Sequence, residues 1–186
     1  MGSKSNNTSF ASKSGASQEE ASAADSFTSD EVTVLQAIAA ETPNYVVATT
    51  SSGAYNTTST SFVDVPNVTV DITVGSDDSL VEIGLISDGT TNQSYLEASR
   101  NGTAGNDTAA TYQILRDGVV VSEMTLRNIY GTSTTNGRIR VPPSSLSFKE
   151  VPTAGTYTYK LRMKAELSGQ RANVFYVKMY ALEIRR

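Results

Sequence analysis

The last forty residues constrain the fold more tightly than any other part of this chain. Between Tyr157 and Ala165 the odd positions are Tyr, Tyr, Leu, Met and Ala, and the even positions from Lys160 to Glu166 are Lys, Arg, Lys and Glu. Strict period-two alternation of this kind marks a β-strand with one wet face. A Pro-Thr-Ala-Gly turn precedes it at 152–155. The closing segment departs from the rule. Phe175, Val177, Met179 and Ala181 fall on one side of an extended strand, and Val174, Tyr176, Tyr180 and Leu182 on the other. A strand apolar on both sides needs cover on both sides, so a second sheet and a neighbouring subunit are expected. On this reading Phe175, Val177 and Met179 close the core, while Tyr176, Tyr180 and Leu182 form an oligomer interface.

The rest of the chain from Tyr45 onward also reads as strands. Val68, Val70, Ile72 and Val74 alternate with Thr69, Asp71 and Thr73. Gly75–Asp78 turns the chain into a returning strand from Leu80 to Ile86, with Gly84 as a bulge candidate. Ser87 to Asp107 reads as a long polar loop, and Tyr130 to Gly137 as a second loop. Asp117-Gly118 predicts a tight hairpin. Pro66 is expected to end a strand over 61–65. About nine or ten strands at this spacing argue a sandwich or jelly roll, not a βαβ unit.

Residues 1–26 are rich in Ser, Ala, Asn and Gly and carry no periodicity. A short helix is predicted over 29–41. Thr28 and Glu31 form a capping box, and Phe27 and Val32 have the spacing of a hydrophobic staple. Val34/Ile38 and Leu35/Ala39 are i,i+4 pairs, and Pro43 ends the pattern. The chain thus divides into an N-terminal extension, residues 1–44, and a β domain, residues 45–186. Phe27, Val32, Val34, Leu35 and Ile38 are the candidate docking contacts of the extension.

Composition narrows the chemistry. The chain has no Cys and no His. Disulfides, thiolate nucleophiles, Ser-His-Asp catalysis and His-ligated metals are therefore outside its reach. No cofactor and no enzymatic activity are expected. Asp77, Asp78, Asn106 and Asp107 lie in turns and match no EF-hand spacing, so turn chemistry accounts for them. Residues 149–186 carry eight Lys/Arg against three Asp/Glu in a chain of net charge −4. Because Lys160, Arg162 and Lys164 alternate with core positions, they read as a solvated strand face, not a nucleic-acid patch. No stretch approaches a transmembrane span, and residues 1–20 show no apolar segment of a secretion signal. A Ser/Thr/Asn-rich surface domain without an export signal is expected to be assembled into a virion in the host cytoplasm.

Three segments carry a resemblance: Phe62-Val63-Asp64-Val65-Pro66, Arg116-Asp117-Gly118, and the run from Pro152 to Leu161. In this order they resemble a jelly-roll domain, similar to tumour necrosis factor folds, that recurs in bacteriophage tail-fibre tips, head fibres and capsid decoration proteins. The resemblance covers roughly 45–186. It implies an all-β, antiparallel jelly-roll sandwich that forms a homotrimer, and it implies no catalytic residue. With only a 44-residue extension before the domain, the chain is expected to be a decoration, cement or head-fibre protein on the capsid exterior. Residues 1–44 would then bind the major capsid protein. The alternative is a tail-fibre tip that binds a host-surface glycan through 87–108 and 130–137. Tyr95, Tyr112 and Tyr130 are its candidate aromatics, although the chain has no Trp.

Overall fold

A computed structural model describes residues 44–90 and 92–185. The helix predicted over 29–41 and the docking contacts Phe27, Val32, Val34, Leu35 and Ile38 lie outside the described residues. Twelve strands make up the described part: β1 (Tyr45–Val47), β2 (Ala54–Thr57), β3 (Val63–Val74), β4 (Leu80–Ser87), β5 (Tyr95–Arg100), β6 (Gly105–Arg116), β7 (Val119–Thr134), β8 (Arg138–Val141), β9 (Ser147–Glu150), β10 (Gly155–Ala165), β11 (Gln170–Phe175) and β12 (Val177–Ile184). They form three antiparallel sheets in the orders β1-β12-β4-β9, β3-β10-β6-β7 and β2-β11-β5-β8.

The first and third of these sheets share one order, and their strands follow one another along the chain. Each strand of the one continues into the other: β1 into β2, β4 into β5, β8 into β9, and β11 into β12. Together they make one long layer bent at a seam. The β3-β10-β6-β7 sheet is the opposing layer. Both contribute to a single core, with Val70, Ile72, Ile114 and Leu161 from one side and Ile83, Leu85, Leu96, Val174 and Met179 from the other. The described residues are thus a β-sandwich, as alternation along the chain requires.

The seam corrects the reading of the closing strand. It is two strands, parted at Tyr176, whose φ is 50°. Tyr176 is one extra residue. Ala172 and Val174 face the core before it, and Val177, Met179 and Ala181 face the core after it. Val174 is fully buried and Phe175 only partly so, the reverse of the expected assignment. The bend is pinned across strands. Tyr176 N–H donates to the Gly53 carbonyl at 2.8 Å, and the Tyr176 carbonyl accepts from Asp88 N–H at 2.9 Å and from Ser94 Oγ at 2.8 Å.

Other expectations shift for similar reasons. Pro66 does not end its strand. Among the described residues β3 is an edge strand that pairs only with β10, and a register irregularity lies between Asp64 and Thr69. Asn67 within it has φ 63°. The bulge absorbs the missing Pro66 N–H. The polar loop expected over 87–107 contains β5 and the start of β6, and the loop expected over 130–137 is strand as far as Thr134. Gly84 is no bulge; it pairs in register with Tyr180. The Asp117-Gly118 hairpin is present, with φ of 48° and 86° at the two turn residues. These are the two positive values a type I′ turn needs.

Lys160, Arg162 and Lys164 point away from the core, as expected, and each is engaged. Lys160 pairs with Asp64 at 2.7 Å and Lys164 with Glu166 at 3.2 Å. Arg162 lies over the Phe62 ring at 4.7 Å and donates to Gln113 at 2.7 Å.

Candidate functional site

The bent layer shows two outward faces of different chemistry, one on each side of the seam. On β12 the outward residues are Lys178, Tyr180, Leu182 and Ile184, since Val177, Met179, Ala181 and Glu183 are buried. Register places Tyr45 beside Leu182, Ile86 beside Lys178, and Leu80 beside Ile184. Tyr45 is 59% exposed and Ile184 38%. This face therefore carries an apolar set, exposed at Tyr45 and Ile184 and half-buried at Leu80, Ile86, Tyr180 and Leu182, beside the charged Lys178, Glu82 and Lys149. Tyr180 is its centre. Its ring lies against Gly84, whose missing side chain leaves the room. Its hydroxyl donates to Glu82 at 2.6 Å, Glu82 pairs with Lys149 at 3.0 Å, and the Tyr45 ring stands 6.3 Å away. Burial, with the Glu82 carboxylate adding to it, pushes the Tyr180 phenol up to about 12. The same hydroxyl, then Lys149, holds Glu82 below the usual carboxylate range. Tyr180 and Leu182 thus share a face, whereas Tyr176 stands at the bend in neither strand.

Beyond the seam, the outward face of β2-β11-β5-β8 is built in cross-strand rows. Phe175 pairs with Tyr95. Asn56, Asn173, Glu97 and Arg140 form the next row, and Arg171, Ser99 and Arg138 the one after. The Tyr95 and Phe175 rings are 4.6 Å apart, and the Arg140 guanidinium lies 4.2 Å over Tyr95. Arg140 also forms an ion pair with Glu97, and that hydrogen bond fixes it in the charged form. Asn173 Nδ2 donates to Glu97 Oε1 at 3.2 Å and to Ser99 Oγ at 2.9 Å. From the opposing layer, the buried Tyr112 hydroxyl is 2.7 Å from the Glu97 carbonyl and 2.9 Å from that of Asn173. Burial raises the Tyr112 phenol far above its ordinary range, so it stays a donor. The floor of this face is fixed from beneath by a cross-layer hydrogen bond.

At its end lies an open cleft of about 590 Å³ lined by Glu97, Ser99, Arg100, Gly102, Thr135, Asn136, Gly137 and Arg138. The two segments singled out by composition, 87–108 and 130–137, meet here. Arg100 holds the first segment in shape by donating to the carbonyls of Thr103, Ala104 and Asp107 at 2.8, 2.9 and 2.9 Å. Its own backbone N–H donates to the Gly137 carbonyl at 2.8 Å, joining the two walls. Of the three candidate aromatics, Tyr95 lies on this surface. Tyr112 is fully buried beneath it, and Tyr130 packs against Gly137 and donates to the Arg138 carbonyl at 3.0 Å. Sequence reasoning missed Glu97, Ser99, Asn173, Arg138 and Arg140. The available signal was the alternation of Tyr95, Glu97 and Ser99 with Leu96 and Ala98, hidden by its polar surroundings.

Asn106 and Asp107 lie within β6, not in a turn as expected, and both Asp77 and Asp107 have structural partners. Asp77 accepts from Ala154 N–H at 2.6 Å, and Asp107 accepts from Arg127 at 2.9 Å and from Gln170 at 2.6 Å. Among the described residues no three His, Cys, Asp or Glu side chains gather as a metal site.

No protein-family model and no curated protein matches the sequence. Solved structures of similar build include dimeric latent PorU from Porphyromonas gingivalis (10% identity, TM-score 0.40, over 76% of this chain and 12% of that one). A structure of infectious bursal disease virus, Gx strain, is similar over 78% of this chain and 32% of that one, at 10% identity and TM-score 0.31. A family 35 carbohydrate binding module from Clostridium thermocellum is similar over 74% of this chain and 97% of that one, at 17% identity and TM-score 0.22. This chain thus spans about an eighth of the first of these and about a third of the second. At these scores they carry no statement about its activity or partners.

Proposed function

We propose that this chain is a structural protein of a bacteriophage virion, a jelly roll that self-associates as a homotrimer and docks on the capsid exterior through residues 1–44. Strand order supports the jelly-roll reading. Without the continuation strands β2, β5, β8 and β11, eight strands remain in two sheets, β1-β12-β4-β9 and β3-β10-β6-β7. Counted anew, these are 1-8-3-6 and 2-7-4-5, the order that two interleaved Greek keys produce. The observation that carries self-association is the outward face of the first sheet. A sheet with one face in water alternates to polar residues there. This one presents Tyr45, Leu80, Ile86, Tyr180, Leu182 and Ile184, with charge confined to Lys178 and the Glu82–Lys149 pair. The reading assigns the chain no catalytic step and no cofactor. Replacing Tyr180 and Leu182 with Asp in the full chain is expected to give monomers by light scattering; an unchanged assembly refutes this interface. Deleting residues 1–44 is expected to abolish capsid binding and leave the assembly intact; decoration by the truncated protein refutes the docking role.

A second reading, recognition of a host-surface glycan, is favoured by the cleft. Sugars present hydroxyl groups that pair with amides, carboxylates and guanidiniums, and the cleft walls and adjoining rows supply all three. Thr135 and Asn136 are exposed, and among the described residues their side chains make no hydrogen bond; only the Asn136 backbone N–H is engaged, donating to the Thr134 hydroxyl at 3.2 Å. Asn136→Ala is expected to weaken binding of the isolated protein to host cells without changing its thermal transition. Equal binding by the variant refutes this reading.

A further inference from the structure

The charge around the cleft is opposite to that of the chain. The whole sequence carries 15 Lys/Arg against 19 Asp/Glu. The cleft is lined by Arg100, Arg138 and a single acid, Glu97. Glu97 is already neutralised, because Arg140 from the neighbouring strand pairs with it. Arg100 is spent sterically but not electrostatically: its three acceptors are neutral carbonyls, so its positive charge is uncancelled. Arg138 is exposed at the lip, and its guanidinium has no ion-pair or hydrogen-bond partner among the described residues. The next position in its row, beyond Ser99, is Arg171. Arg171 donates to Asn101, and its Nε is buried without a partner among the described residues. Asp107, the nearest other acid along the chain, is held by Arg127 and Gln170.

We infer that this cleft takes an acidic sugar, a uronate, and that Arg138 is the residue that reads the carboxylate. This rests on the glycan reading above and deepens it. A guanidinium fork meets a planar carboxylate with two parallel hydrogen bonds. A neutral sugar would leave the uncancelled charges of Arg100 and Arg138 to water alone. Asn136, on the same loop, supplies an amide suited to ring hydroxyls and indifferent to charge.

The test uses the full chain and three pairs of probes: oligomers of galacturonate, glucuronate and mannuronate, each against its methyl ester. Each pair differs only at the carboxyl, where the ester replaces the charge with a methyl group; the salt dependence separates charge from the added bulk. Calorimetry is expected to show at least one acid bound about tenfold or more tighter than its ester, the range of a charge-assisted hydrogen bond, with the preference shrinking as salt is raised. Arg138→Gln is expected to bring acid and ester within about threefold of one another on that scale. Asn136→Ala should weaken both members of the pair alike. Binding of acid and ester without preference overturns the inference and leaves the glycan reading standing. A preference that survives Arg138→Gln overturns the role of Arg138. Binding of no probe by the folded protein overturns the inference and removes the support the cleft gives to glycan recognition.

Discussion

Gly84→Ala is expected to change sign with its neighbour. Gly84 is buried in β4, directly across from Tyr180 on β12, and its φ is not in the left-handed region. The backbone therefore accepts Ala, and loss of unfolded-state freedom alone would stabilise by about 0.4–1 kcal/mol. The side chain is the obstacle. A Cβ at this position would lie 2.7 Å from Tyr180 Cε1 and 2.8 Å from its hydroxyl oxygen. The ring must swing off the sheet, and its 2.6 Å hydrogen bond to Glu82 goes with it. A hydrogen bond to a charged acceptor is worth about 1.5–3 kcal/mol, and partial exposure here brings it toward the low end. In the native background the net change is a destabilisation of about 1 kcal/mol. In a Tyr180→Ala background no ring is left to displace, and Gly84→Ala should stabilise by about 0.5 kcal/mol. The coupling between the two sites is then about 1.5 kcal/mol. Urea unfolding of the four proteins measures it, at matched concentration so that the proposed self-association contributes equally to each. If Gly84→Ala destabilises the Tyr180→Ala protein as much as the native one, the ring does not rest on Gly84. The picture of this outward face would then be wrong.

Tyr112→Phe should cost about 1 kcal/mol, seen as a lower urea midpoint at unchanged slope, because one buried hydroxyl serves the Glu97 and Asn173 carbonyls. An unaltered midpoint would mean that the two layers are not joined there. Glu183 is buried, and burial alone would raise its carboxyl. The Ser79 hydroxyl, the Gly75 N–H and Arg185 outweigh this and hold it below the ordinary range. Its contribution is therefore full above the unfolded carboxylate value of about 4.3 and is lost as pH falls through the lower folded value. Glu183→Gln should be less stable than the native protein near neutrality, with the gap closing on acidification; a gap independent of pH would refute this. Tyr176→Gly should leave stability within about 1 kcal/mol. Relief of a left-handed conformation worth about 1–2 kcal/mol offsets the entropy of Gly and the lost contacts of a half-buried ring. A loss above about 3 kcal/mol in thermal unfolding would show that the ring, not the backbone bend, holds the seam.

Alternation was the legible part of the fold. β10 declares its inward residues in sequence because Leu161 and Met163 alternate with Lys160, Arg162 and Lys164; in β12 Val177, Met179 and Ala181 keep the period, but only Lys178 among their outward neighbours marks the wet side. The Asp117-Gly118 hairpin was legible because only two adjacent positive φ values make that turn. β5 was not, since Tyr95–Arg100 has polar residues on its outward face and loop-like composition on both sides. Pro66 misled because sequence does not reveal which strands lie at an edge. The break at Tyr176 was hidden because one inserted residue in an alternating strand looks like two apolar faces. Of the candidate site, its two segments were legible by composition. Its acid, amide and guanidinium rows were not, because they arise from register between strands distant in sequence.

That inserted residue also relates the two proposals to each other. If β11 and β12 were one straight strand, Val174, Tyr176 and Tyr180 would project from the same side and one face would have to serve both assembly and recognition. With Tyr176 set into the bend, Val174 turns inward and Phe175 outward, and the outward residues before the seam are Arg171, Asn173 and Phe175. After the seam they are Lys178, Tyr180 and Leu182. The apolar set and the polar set therefore occupy different sheets of one layer. Contact through Tyr180 and Leu182 leaves Arg138, Asn136 and the cleft unoccupied. Substitutions in one should not alter the readout of the other: Tyr180→Asp with Leu182→Asp changes light scattering and keeps any preference for acid over ester, whereas Arg138→Gln does the reverse. If either variant moved both readouts, the two faces would belong to a single interface, and the separation inferred from the bend at Tyr176 would fail.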